Sequence, residues 1–363
     1  MVPGGRGSRD DGGAADRGAA LRIPASSAHN RWHPALEPVA VVEPGQEIVL
    51  ETRDGLDGQL TRDSTHADCA TLDLGLGHPL TGPVLVEGAE PGDVLAVELL
   101  GYETPGFGVN GVIPGFGFLA DVFTEPFLVR WELDGTHARS VELPGVAVPA
   151  CPHAGVVGVA PSVELMELQR AREERIRAAG GPVAEPMPET ALPPLAASGL
   201  RTIPPRETGG NLDIRRLVAG STLFLPVQVP GALLSVGDVH FAQGDGEVCG
   251  TGIEIEAAVR LRCEIHPAQP WAPQFPAYRA PAESRGPSFA TTGIPVDHAM
   301  DLTVAARNAL LAMIDWLEAE HGLSRPAAYC LCSACVDLHL SQVVDVPYPL
   351  VSALIPLDVF DGT

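Results

Sequence analysis

A histidine within reach of several carboxylates is the donor set that a divalent metal takes. GDVHFAQGDGE (237–247) offers that set over a short stretch. If residues 236–243 form a strand, its two-residue period puts Asp238, His240 and Ala242 on one face. Gln243 then leads into Asp245 and Glu247, between glycines that let the backbone crowd a ligand. The plainer alternative is a buried histidine with a structural partner and an Asp-Gly turn that only reverses the chain. A second group, GGNLDIR (209–215), sets Asn211 and Asp213 behind two glycines, as a ligand loop or as a capped turn. Two further histidine-bearing stretches, HNRWH (29–33) and CPHAG (151–155), read either as rigid parts of a site or as loops.

Other chemistries are excluded by what the chain lacks. Its 23 basic residues are all arginine. Arginine stays protonated, so it supplies neither a Schiff-base amine nor a neutral proton acceptor. Pyridoxal enzymes, P-loop nucleotide hydrolases and lysine-assisted serine or cysteine amidases go together on that ground. Gly-x-Ser-x-Gly and His-Glu-x-x-His strings are missing as well. Cys330, Cys332 and Cys335 with His339 have a superficial zinc-knot spacing. We read them as core packing, because free cysteine behaves as a small buried hydrophobe.

The elements that must position these residues are mainly β. The 363 residues suggest about two domains' worth of chain, and a 45% hydrophobic fraction supplies real cores. Residues 39–54, 82–103 and 221–248 each read as strand, Pro-Gly turn and strand, followed by an alternating strand over 252–265. Such segments favour sandwich or barrel layers with appended helices over a doubly wound sheet. Helices are expected over 163–179, capped by Ser162, and over 301–321, ended by Gly322; residues 327–345 start helical and turn extended. The expected organisation is a tail at 1–25, a β-rich part at 26–162, a helical and proline-rich insertion at 163–210 with the character of a lid, and a second β-rich part at 211–363. A net charge of −23 argues against nucleic acid. No apolar run is long enough to span a membrane, and the N-terminal stretch lacks a secretory core. Seven scattered cysteines do not form a secreted disulfide framework. A soluble, cytoplasmic protein is expected.

HPLTGPVLVEGAEPGD (78–93), GGNLDIR (209–215), GSTLFLPVQVPGALLSVGDVHFAQGDGEVCGTGIE (220–254) and YCLCSACVDLHLSQVVD (329–345) occur in an order that resembles the acetamidase/formamidase family, over roughly residues 28–360. HNRWHP and the His153 loop are more similar to the formamidase branch. Leu212 stands where the family often has Met, Ala154 where it often has Cys, and Arg215 where it often has Lys, which keeps the charge but removes any proton transfer. The resemblance implies hydrolysis of a short aliphatic amide to carboxylate and ammonia, a jelly-roll-like β fold, a homo-oligomer and a bound metal. Water activated by that metal is the nucleophile that fits a lysine-free chain. On this reading Asp213 and His240 are metal ligands, with His29 a third. Glu247 carries the proton from water to nitrogen and Asp245 orients it, while His153, Gln243 and Asn211 bind the amide. Zinc is the first choice of ion because of the histidines, and calcium or magnesium the alternative for an oxygen-rich set. Two other functions stay open: hydrolysis of a larger or cyclic amide, and a non-catalytic β binding protein.

Overall fold

The computed structural model describes residues 20–268, 274–282, 286–295, 298–343 and 349–360. Most of the expected tail lies outside the described residues. Leu21–Ile23, counted with that tail on composition, is instead a strand parallel to Glu47–Thr52, with Ile23 buried in the core.

Two sheets carry the molecule. One orders the strands Leu21–Ile23, Glu47–Thr52, Ala257–His266, Val94–Glu103, Thr222–Pro226 and Ala277–Arg279. The other runs from Leu143–Pro149 through Phe127–Leu133, Phe107–Val112 and Glu254–Ile255 to Leu234–His240, His153–Val159 and Gly209–Asn211, with Leu80–Val86 joining it on Leu234–His240. Strands from before and after residues 163–210 interleave in both.

The Pro-Gly turns do not close hairpins, as their sequence suggested. Ala40–Val42 pairs with Leu80–Val86, whereas Glu47–Thr52 pairs with Ala257–His266. Leu80–Val86 and Val94–Glu103 lie in different sheets, and so do Thr222–Pro226 and Leu234–His240. Each turn therefore carries the chain from one sheet to the other. The physical reason lies in the flanks: both strands beside each turn have apolar residues to bury, and facing layers bury more than one edge-paired ribbon does. Leu50, Val84, Leu95, Val97, Leu225 and Val236 meet in one core. Two of the turns also bond to each other, with Gly92 N donating to Val227 O at 3.0 Å and Val227 N donating to Asp93 O at 2.9 Å.

Among the described residues, three α-helices are appended. α1 (Val163–Ala178) is capped by Ser162 Oγ, which accepts from Leu165 N. α2 (Leu302–His321) begins at Asp301, which accepts from Thr303 N and Val304 N, and ends on left-handed Gly322. Its apolar stripe packs on a three-stranded sheet of Ser288–Gly293, Leu350–Pro356 and Asp337–Gln342. α3 (Arg325–Cys335) buries Cys330, Cys332 and Cys335. Because the helix stops at Cys335, His339 stands exposed on the following strand and not on a shared cysteine face.

The proline-rich connector is fastened by the HNRWH stretch. Arg31 Nη2 donates to Met187 O at 2.6 Å, Pro186 O at 3.2 Å and Thr190 Oγ1 at 2.9 Å, and Nη1 donates to Asn30 O at 2.8 Å. Asn30 adds Nδ2 to Thr190 O at 2.9 Å and accepts from Leu192 N at 2.7 Å. Arg31 is fully buried, so removing its guanidinium takes a donor from each of these buried carbonyls. Arg31→Met should lower stability by about 2–4 kcal/mol. It should also expose the chain near residues 186–192 to limited proteolysis before global unfolding. A variant as stable and as protease-resistant as the parent would show that other contacts hold the connector.

Candidate active site

The site forms where one strand loses its pairing. Leu234–His240 bonds along His153–Val159 on one side, but the ladder passes over Gly155 and Asp238. On its other side the partner changes at the same point, from Leu80 at Gly237 to Ile255 at Val239. Asp238 is left-handed there, with φ +53°, and so are Asp213 at +46° and Glu247 at +43°. Residues with a Cβ hold such backbone only when the surroundings enforce it, at of order 1–3 kcal/mol each. Gly155 faces the gap. A Cβ on it would lie 2.6 Å from Asp213 Oδ1 and 2.7 Å from Asp238 Oδ2, and one on Gly55 would collide with Asp238. The glycines leave room for a concentration of carboxylates.

His240 is the hub. Gln243 Nε2 donates to Asp213 O at 2.8 Å, which makes Gln243 Oε1 the acceptor for His240 Nδ1–H at 2.6 Å. That leaves His240 Nε2 facing Glu254 Oε1 at 3.2 Å, Asp238 Oδ1 at 3.6 Å and Glu247 Oε1 at 3.8 Å. Asp213, His240 and Glu247 bring one ligand atom each within 4.8 Å of one another, as do Asp238, His240 and Glu254.

So many acids in one buried place cannot all keep their ordinary protonation. Burial and the neighbouring Asp213 push Glu247 well above the usual carboxylate range. Burial raises Glu254 to about 8, with Asp238 adding to the push and His240 opposing it. Asp213 is raised by burial and by Asp238. Asp238 is the exception: burial opposes its charge, yet His78 and His240 hold it well below the usual range. His240 is raised in turn, because Glu254 and Asp238 outweigh its burial.

A cavity of about 90 Å³ opens beside the cluster. Asn211, His78, Asp238, Glu247, Thr251 and Glu254 contribute its polar lining, and Leu56, Leu74, Ile113, Phe116 and Ile203 its apolar lining. Ile203 comes from the proline-rich connector, so that segment does form part of the wall.

The expected residues divide into three sets. Asp213, His240 and Glu247 meet, and Asn211 lines the cavity with its Oδ1 lacking a hydrogen-bond partner. His153 and Gln243 stand behind the cavity. His153 lies edge-on to His240 at 5.3 Å between ring centroids; its Nδ1–H donates to Cys151 O at 2.8 Å, and its Nε2 stands 3.1 Å from Gln243 Oε1. Burial pushes it down to about 4. These two residues orient the hub. His29 and Asp245 are placed elsewhere. Both His29 nitrogens are engaged, by Arg31 O at 2.9 Å and Ser235 Oγ at 2.8 Å. Asp245 faces Arg215, Nε to Oδ1 3.4 Å, and donates its backbone N–H to Asp337 Oδ1 at 2.9 Å. His78, Asp238 and Glu254 were missed. Asp238 shares the predicted face of His240 and carried a usable signal. His78 and Glu254 arrive from other strands and loops and carried none.

Residues 16–362 match the Acetamidase/Formamidase family. The formamidase of Methylophilus methylotrophus is 34% identical, over 92% of this chain and 89% of its own. The acetamidase of Mycolicibacterium smegmatis is 36% identical, over 84% of each. The chain belongs to the acetamidase/formamidase family. Among solved structures, the gamma lactamase from Delftia acidovorans superposes with a TM-score of 0.88 at 36% identity, over 92% of this chain and 90% of that one.

In this member of the family the cluster fits a divalent ion. His240 Nε2, Asp213 Oδ1 and Glu254 Oε2 are buried without a hydrogen-bond partner of acceptable geometry. An imidazole whose other nitrogen is held by a neighbour, set among carboxylates, is a metal donor set with its outer support in place. The sign of a pH effect follows. Glu254 has a folded pKa above its unfolded one, so its contribution is complete at low pH and lost as pH rises from about 4.5 toward 8. Chelated protein should therefore lose thermal stability between pH 5.5 and 8, and added divalent ion should restore more at pH 8 than at pH 5.5. Equal ion effects at both pH values, or none, would count against a cation in this cluster.

Proposed function

We propose that this chain hydrolyses short aliphatic amides of the formamide or acetamide type to the carboxylate and ammonia. The observation that carries this reading is the small cavity with Asn211 and Glu247 on its wall, directly beside the His240–carboxylate cluster. The names of the formamidase and acetamidase relatives support it. The cavity, of about 90 Å³, is on the scale of a few water-sized groups. That is the scale of a water and a small amide.

His240 with Asp213, Asp238 and Glu254 would hold the ion, and zinc suits a site with an imidazole. When bound, such an ion lowers the pKa of water and polarises a carbonyl oxygen. The chain's own residues do the rest. Asn211 Oδ1 accepts an N–H of the substrate and orients its amide plane. Glu247, buried among other acids, is a stronger base than a free carboxylate. It takes a proton from the attacking water and returns it to nitrogen as the C–N bond breaks. Gln243 and His153 fix the ring of His240. The apolar wall keeps bulk water off the acyl side.

A second reading is favoured by the similarity to a gamma lactamase and by the apolar wall: hydrolysis of a compact cyclic amide, whose ring would fill the same cavity. Ammonia release from formamide and acetamide, set against ring opening of a γ-lactam, separates the two. In either case Glu247→Gln should lower kcat by about 10²–10⁴-fold, while circular dichroism and bound-ion content stay at parental levels. Near-normal turnover in that variant would remove Glu247 from the proton path.

A further inference from the structure

The cavity is two-faced, polar on the side of Glu247 and Glu254 and apolar on the side of Leu56, Ile113 and Phe116. Leu56 and Ile113 are nearly closed off, whereas Phe116 is 37% exposed. Phe116 therefore stands at the mouth with the other two beneath it.

Its position is fixed by the backbone. Phe116 N donates to Ile113 O at 3.0 Å, and the ring is flanked by left-handed Gly115 (φ +80°) and Gly117 (φ +92°). The next residue anchors the loop on the segment that bears Glu247, as Phe118 N donates to Val248 O at 2.9 Å. That segment turns back on itself through Gly250 N to Glu247 O at 2.8 Å. The Phe116 ring lies on Gly250, where a Cβ would be 2.6 Å from ring atom Cδ1. Glycine at 250 is thus what lets the ring sit down beside Glu247. Phe116 and the proton-carrying carboxylate are tied to one turn, so the distance between the reacting end and the mouth is set by this contact.

We propose that Phe116 is the specificity-determining residue of the site. Its ring caps the acyl end of the cavity and limits the substrate to amides with a short, uncharged, apolar acyl group. The inference rests on the amide-hydrolase reading and adds to it the residue that sets acyl length. Charge works in the same direction: Asp73, Asp238, Glu247 and Glu254 line the same cavity, so an acyl group bearing a carboxylate is repelled.

The test is kcat/KM for ammonia release across formamide, acetamide, propionamide, butyramide and hexanamide. Wild-type protein is compared with Phe116→Ala, Phe116→Leu and Phe116→Trp. Removing the cap should raise the hexanamide-to-acetamide ratio by on the order of tenfold or more, the scale on which apolar pockets discriminate methylenes. Leucine should fall between, and tryptophan should shift the profile toward formamide. If the Ala and Leu variants lower every amide by the same factor, or leave the ratio unchanged, Phe116 is structural and the assignment is wrong. Should the wild-type protein release ammonia from none of these amides, the amide-hydrolase reading fails and takes the assignment with it. The two failures are thus told apart by the wild-type series alone.

Discussion

Asp213, Asp238, Glu247 and Glu254 surround one imidazole in a largely buried region, and the arrangement around them follows from that crowding. Two like charges 4 Å apart repel by about 4 kcal/mol at an effective dielectric of 20. Four of them cannot all stay ionised unless positive charge is brought in. Protons or a metal cation are the available carriers, and they compete for the same oxygens. The raised Glu247 and Glu254 and the depressed Asp238 show how the protein shares this load when only protons and histidines are at hand. The same crowding that makes an ion welcome makes Glu247 a strong proton acceptor, so affinity and basicity have one origin.

Holding acids together against their repulsion requires a frame that does not relax. The pairing on both sides of Asp238 breaks at one residue, and the long ladder of Leu234–His240 with His153–Val159 resumes on either side of it. A local defect inside a continuous ladder is rigid in a way that a loop is not. Gln243 then ties His240 to the Asp213 backbone, so the imidazole cannot swing away from the acids it faces. The Pro-Gly crossings serve the same end. By moving the chain between two packed sheets they place Asp238 and His240 within a core made from both halves of the sequence.

How much of this could be read in advance depended on range. The α1 and α2 boundaries were legible because caps and apolar stripes are local signals: Ser162, Asp301 and Gly322 mark them in the structure as they do in the sequence. The mainly β character was legible from alternation and turns. Which strands pair was not, since a Pro-Gly turn looks the same whether it closes a hairpin or crosses between sheets. The meeting of Asp213, His240 and Glu247 could be proposed from residue type. Glu254 could not, because only the pairing of Glu254 with His240 across two strands brings it there. His29 was drawn toward the site by its neighbours Arg31 and His33, yet the stretch turned out to fasten the connector, with Asn30 and Arg31 bonding residues 186–192. A polar cluster tied to backbone carbonyls and one tied to a ligand have the same composition.

The charge of the site also bears on turnover in the proposed reaction. The substrate amide is neutral and one product is an anion. If a divalent ion were bound and all four carboxylates ionised, the acids would still outweigh the ion and the cavity would stay negative when the C–N bond breaks. The new carboxylate is then pushed out by the groups that tolerated the amide, and the effect is strong because the lining acids are only partly screened by solvent. Ammonia leaves as a small neutral or cationic species that meets no such barrier. An acidic pocket with a short apolar wall thus separates the two stages by charge. Neutral acyl groups enter on the side of Leu56, Ile113 and Phe116, and the acid that forms is disfavoured in the place where it was made. Excess negative charge, costly to the fold, would in the proposed reaction disfavour an anionic product in the site.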